Sequence, residues 1–303
     1  MNKPVLLIMA AWLGSRYGGL KQIDPVGPHG EILLEFALRD ALSFGMEEVV
    51  VIVSEAIRAD FESMIVPKYP ELKITLVVQT LTLLPTGVSQ NPARTKPWGT
   101  AHAVWCAREV IRWPFIVMNA DDFYGRDALK QAYDFLVSTN SANWENLGNP
   151  VNTSHCIVTY PITSTLSEYG TVSRGICAVE DGKLVKIVEH TKVSRKDGRL
   201  IHTAEDGHEV LIPEDAPANM NLFGFQQSFF EILDRECRKF FEAFSGDEKR
   251  EFFLPSVVMQ VIKENAGTIT AISTTSQWFG MTYPEDRKAT TEKIRSLILE
   301  GKI

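Results

Sequence analysis

Cysteine is scarce in this 303-residue chain, and the cysteines present do not pair by spacing. Cys106, Cys156, Cys177 and Cys237 lie far apart and form no CxxC motif. A zinc framework and a disulfide scaffold are therefore not expected, and free buried thiols in a reducing cytoplasm are. No apolar run approaches the ~20 residues needed to span a bilayer, so no membrane partner is expected. The start, strand-like after Lys3, lacks the cleavage pattern of a secretory signal. Positive charge is not in excess: 31 Lys and Arg against 38 Asp and Glu give a net charge of −7. Nucleic-acid-binding surfaces are normally basic, which argues against that partner class. A small anionic ligand stays open, because it needs only a few local cations. Two phosphate fingerprints are absent, G-x-x-x-x-G-K-S/T and G-x-G-x-x-G. Internal repeats, low-complexity segments and a clean linker are missing too. One elaborated domain over 1–303 is expected.

What the chain does have is alternation. Continuous apolar runs at Val5–Met9, Glu48–Val53, Ile74–Gln79 and Phe115–Asn119 read as buried strands. Between them Ile32–Phe44, Ile57–Val66 and His102–Ile111 carry helical spacing, the first stopped by Gly45. This order predicts βαβ units and a mostly parallel sheet with helices on both faces. Residues 80–98 and 138–153 read as polar loops, the first long enough for a lid or a disordered segment. From His155 to Val210 the chain is β-rich, with strands at Cys156–Tyr160, Gly170–Val179 and Lys183–Glu189. Turns are expected at Asp181-Gly182, Asp197-Gly198 and Asp206-Gly207. From Gln227 onward it reads as helical, apart from a strand at Thr268–Ile272.

Several stretches carry chemistry. The run Leu6–Ala11 empties into a loop with Gly14, Ser15, Arg16, Gly18, Gly19 and Lys21. Small residues let backbone N–H groups approach phosphate oxygens. Arg supplies a planar fork and Lys a point charge. An ordinary strand and loop would read the same way. Asp121-Asp122 follow the strand at Phe115–Asn119, where open α/β sheets bind ligands. The pair suits a hard divalent cation, or else the capping of a helix. Gln79, at a strand end, offers both donor and acceptor to a base edge. Gly99 permits close backbone approach, and Thr100 can cap the following helix while presenting its hydroxyl. A plain strand end and a Thr-capped helix are the other reading. His102 is read as a helix residue bonded to backbone, not as a base.

In this order the chain resembles the sugar-1-phosphate nucleotidyltransferases, whose first loop reads roughly A-A-G-x-G-S/T-R with a Lys a few residues on. Trp12 stands where that pattern has its first loop glycine. Further matches are Trp98–Ala103, Glu168–Val172, Val185–His190, Asn219–Phe225 and Trp278–Arg287; in the third stretch His190-Thr191 replaces the family's Lys-Pro. The resemblance implies a Rossmann-like nucleotidyltransferase fold with a β-rich acceptor-binding insertion. It implies a nucleotide-binding half at 1–135 and an acceptor-binding half at 155–303. The implied reaction transfers a nucleoside monophosphate from a nucleoside triphosphate to a phosphorylated acceptor, a sugar 1-phosphate, releasing pyrophosphate. Arg16 and Lys21 are the implied catalytic residues. Ala10, Ala11, Gly14, Ser15, Gln79, Gly99 and Thr100 are implied to hold the nucleotide, and Gly170, Glu189 and Asn221 the acceptor. Asp121 and Asp286 are the implied Mg²⁺ ligands, although Asp286 also reads as a helix start. Trp12 favours an alternative, a catalytically impaired homologue that binds nucleotide or sugar nucleotide in a regulatory role.

Overall fold

The computed structural model describes residues 3–11, 24–144, 153–167, 170–204, 206–281 and 285–303. The apolar runs become strands β1 (Val5–Met9), β2 (Glu48–Val53), β3 (Lys73–Val78) and β4 (Phe115–Asn119). All but β3, shifted by one residue, keep the expected boundaries. β1 pairs in parallel with β2 and β4, and β2 pairs in parallel with β3. Helices α1 (Leu33–Phe44), α2 (Glu55–Met64), α3 (Thr100–Cys106), α4 (Arg126–Trp144), α5 (Phe229–Phe244) and α6 (Leu254–Lys263) cover the sheet. Side chains alternate across a strand, so β1 feeds two cores. Val5, Leu7 and Met9 pack with α3, α5 and α6. Leu6 and Ile8 pack with α1, α2 and α4.

The remaining elements are β5 (Asp122–Phe123), β6 (Ser154–Pro161), β7 (Val172–Glu180), β8 (Lys183–Lys196), β9 (Arg199–Thr203), β10 (Glu209–Leu211), β11 (Pro217–Phe225), β12 (Thr268–Ser273), β13 (Phe279–Gly280) and α7 (Asp286–Leu299). One sheet of 11 strands runs β10-β9-β8-β12-β6-β11-β4-β1-β2-β3, with β7 joined to β11 and β8; β5 and β13 pair separately. The expectation of a mostly parallel sheet is corrected here. Beyond β4, among the described residues, only β12 with β6 is parallel; β11 runs antiparallel to β4, β6 and β7, and β8 to β7, β9 and β12. The two-residue turns explain this. Asp181 and Gly182 have φ of 48° and 72°, and Asp197 and Gly198 of 49° and 76°. Such turns fold a strand back on its neighbour, whereas a parallel pair needs a crossover.

Two loop expectations change. Residues 138–144 are helical and belong to α4. The Ser138 and Thr139 hydroxyls each donate to Phe135 O at 2.8 Å, so these polar side chains are satisfied within the helix. Residues 80–98 do lack regular structure, yet they are tied down. Arg94 is buried and donates to the carbonyls of Lys96, Pro97, Asp247 and Arg250. Its guanidinium lies 3.4 Å from the ring centroid of Trp98, which is fully buried. The four cysteines are free and buried, as expected. Among the described residues no helix is long and apolar enough to cross a membrane.

Candidate active site

A cavity of about 280 Å³ opens where β1, β3 and β4 end, and residues of β8, β11 and the start of α6 complete its wall. Strand carboxyl ends are where open α/β sheets bind ligands. Ala11, Gln79, Gly99, Thr100, Asp121, Glu189 and Asn221, all assigned from the sequence, line it together. Trp12, Gly14, Ser15, Arg16 and Lys21 lie outside the described residues, as do Glu168 and Tyr169. Three assigned residues are not on the wall. Ala10 packs into the α1/α2 core, and its N–H is spent on Ile52 O at 2.7 Å. Gly170 is exposed ahead of β7. Asp286 faces a different cavity, of about 170 Å³, with Arg174, Trp278 and Lys293. It opens α7, where a carboxylate is favoured by the helix dipole.

The turn before α3 is clamped to the segment before α6. Phe252 N–H donates to Trp98 O at 2.6 Å, and Ala101 N–H donates to Phe252 O at 2.9 Å. Leu254 N–H donates to Thr100 Oγ1 at 2.9 Å. Thr100 therefore caps the start of α6; its own helix begins behind Gly99, without a side-chain cap. Gly99 has φ of 103°, and a Cβ there would lie 2.6 Å from Phe252 O. No other residue type suits both constraints. Phe253 and Pro255 also line the cavity. No motif or periodicity marks Phe253, because Gln79, Gly99 and Thr100, which share its end of the cavity, are more than 150 positions away in sequence.

Gln79 is held by its neighbours. Its Nε2 donates to Gly99 O at 3.2 Å and lies 3.0 Å from His102 Nδ1. His102 Nε2 lies 2.7 Å from Leu83 O, which can only accept. The imidazole proton is thus assigned to Nε2, and Nδ1 accepts from Gln79. Both amide hydrogens of Gln79 are engaged, which leaves Oε1 as its contribution to the cavity. Burial lowers the His102 pKa to about 4, and that of His155, also buried, to about 4. A depressed histidine pKa means that the unfolded state binds the proton first. Stability is then full above the ordinary pKa near 6.5 and is lost as pH falls through about 4. Chemical denaturation at pH 7, 6 and 5 is expected to show that fall, with a shallower slope for His102→Gln.

The acidic pair divides. Asp121 lines the cavity, and its carbonyl accepts from Met281 N–H at 3.1 Å. Asp122 is buried, and its Oδ2 accepts from Asn119 Nδ2 at 2.7 Å. Tyr124 OH lies 3.3 Å from the same oxygen and donates to Met220 O at 2.6 Å. On the far wall, β11 carries an irregularity between Asn219 and Phe223. Within it Asn221 takes a left-handed φ of 62°, and its N–H donates to Asn219 Oδ1 at 2.9 Å. Asn tolerates that conformation, and such a break re-aims a side chain out of the ladder. Glu189, on β8, also lines the cavity. Surrounding atoms displace water from its carboxyl and raise its pKa, while the Arg174 guanidinium opposes the rise. Among the described residues no cluster of three or more His, Cys, Asp or Glu suits a metal ion.

No protein-family model matches the sequence, and no curated protein matches it. Solved structures do. The inositol-1-phosphate CTP transferase from T. maritima superposes with a TM-score of 0.61 at 13% identity, covering 97% of each chain. A candidate glucose-1-phosphate thymidylyltransferase from Bacillus anthracis, in complex with a sucrose, superposes with a TM-score of 0.60 at 12% identity, covering 96% of this chain and 94% of that one. The fold of this chain is thus the mixed α/β fold of these nucleotidyltransferases, the class that the sequence resembles.

Proposed function

We propose that the chain transfers a nucleoside monophosphate from a nucleoside triphosphate to a phosphorylated acceptor, a sugar 1-phosphate, with release of pyrophosphate. One observation carries the reading: seven residues assigned from separate sequence segments line a single cavity at the strand ends of that fold. An oxygen of the acceptor phosphate attacks the α-phosphorus in line, and pyrophosphate leaves with the bridging oxygen. The acceptor phosphate is already anionic, so no general base is required, and positioning and electrostatics supply the rate. Gln79 and Thr100 hold the base. Glu189 and Asn221 pair with acceptor hydroxyls, which need partners once buried. Arg16 and Lys21 supply positive charge at the phosphates. The donor set fits Mg²⁺, which takes one or two carboxylates with phosphate and water oxygens: the Asp121 carboxylate and the Asn119 amide both stand on the cavity. When bound by Asp121, Mg²⁺ neutralises charge on the phosphates.

A second reading, binding without turnover, is favoured by Asp286 facing another cavity. A pyrophosphate-release screen separates the two. Four nucleoside triphosphates are tested with Mg²⁺ against a panel of phosphorylated acceptors, using wild type and Trp12→Gly. Mg²⁺-dependent release with at least one pair is expected, and it rises in Trp12→Gly if the indole obstructs the nucleotide. Calorimetric binding of a triphosphate with no release from either protein selects the second reading.

A further inference from the structure

Phe252, Phe253 and Leu254 are three large apolar residues in a row, and the fold treats them differently. Phe252 and Leu254 are buried at 4% and 0% exposure, whereas Phe253 is 45% exposed. It shares the wall of the cavity with Gln79, Gly99 and Thr100. Its place is fixed by the hydrogen bonds that tie Phe252 and Leu254 to Trp98, Thr100 and Ala101. Phe253 and the Gly99-Thr100 turn therefore form one rigid unit. This part of the wall offers a flat apolar face, extended by Pro255, and the hydrogen-bonding edge provided by Gln79 Oε1. Face and edge together match an aromatic heterocycle. Glu189 and Asn221 offer the cavity carboxylate and amide groups, which match hydroxyls.

We infer that Phe253 is the platform on which the nucleotide base stacks, with Gln79 at the base's edge and the acceptor toward Glu189 and Asn221. The inference rests on the nucleotidyl-transfer reading and adds a binding residue, Phe253, to it. The order of strands agrees. From β11, which carries Asn221, to β3, which precedes Gln79, the sheet runs β11-β4-β1-β2-β3. Four strand spacings are roughly 19 Å, and Asp121 follows β4, between the two ends.

The test compares wild type with Phe253→Ala, Phe253→Leu and Phe253→Trp, using calorimetric titration with each nucleoside triphosphate and with inorganic tripolyphosphate. Loss of a stacking aromatic is expected to weaken triphosphate binding roughly 10- to 100-fold in Phe253→Ala. Phe253→Leu restores part of the loss, and Phe253→Trp restores most of it. Tripolyphosphate, which has no base, binds wild type and Phe253→Ala equally. Wild-type binding that is unchanged in Phe253→Ala overturns the inference alone, as does an equal loss for tripolyphosphate. Failure of the wild type to bind any triphosphate overturns the functional reading and this inference with it. Phe253 is exposed, so the variants are expected to fold, and equal melting temperatures check this.

Discussion

Asp121→Asn is expected to lose nucleotidyl transfer by roughly 10²–10³-fold while keeping its melting temperature. Asp122→Asn is expected to do the reverse. The two carboxylates are neighbours in sequence, but one lines the cavity and the other is buried among partners. At Asp121 the amide keeps the shape and removes the charge available to a cation. The main-chain bond from Met281 N–H to the residue 121 carbonyl is untouched. At Asp122 the charge accepts from Asn119 Nδ2 and acts with Glu189 to stabilise the buried Arg174 guanidinium electrostatically. Weakening a charged hydrogen bond there costs about 1–3 kcal/mol. Mg²⁺ titrations of nucleotide binding, run beside thermal melts of both variants, decide the matter. Equal effects on metal-dependent binding would assign the cation to the pair rather than to Asp121.

Short-range signals in the sequence were reliable guides to the frame. β1, β2 and β4 begin and end where their apolar runs do, because a strand buried on both faces needs nothing more than such a run. The Asp-Gly turns of the second half were equally readable. The sheet's direction was not, since the return of β11 between β4 and β6 brings together residues about 60 to 110 positions apart. Chemistry at the site divides the same way. Gln79, Gly99, Asp121, Glu189 and Asn221 each carry a local pattern. Phe253 carries none, because its place depends on a clamp between segments more than 150 positions apart. Thr100 was read as capping its own helix, but the fold uses it to cap α6. Asp286 opens a helix, one of the two readings its sequence allowed, and lines another cavity.

Gly99→Ala tests that clamp. Its backbone, at φ 103° and ψ −179°, is a conformation that costs a residue with a side chain about 1–3 kcal/mol. Crowding adds to this. The new methyl would lie 2.6 Å from Phe252 O and 3.0 Å from Phe252 N, both main-chain atoms already bonded across the clamp. Overpacking of this kind costs about 1–3 kcal/mol more. Relief requires Phe252 to move, and Phe253, Thr100 and the Gly99 carbonyl that holds Gln79 move with it. Melting temperature and triphosphate affinity should therefore fall together. Gly87→Ala is the control, because Gly87 has a φ of 87° and nothing within 4 Å of a new Cβ. It carries backbone strain without the crowding. A larger melting-temperature loss in Gly99→Ala than in Gly87→Ala, with nucleotide affinity reduced only in Gly99→Ala, is the expected result. Equal losses in both would mean that φ alone matters at Gly99 and that the clamp does not set the base end of the cavity.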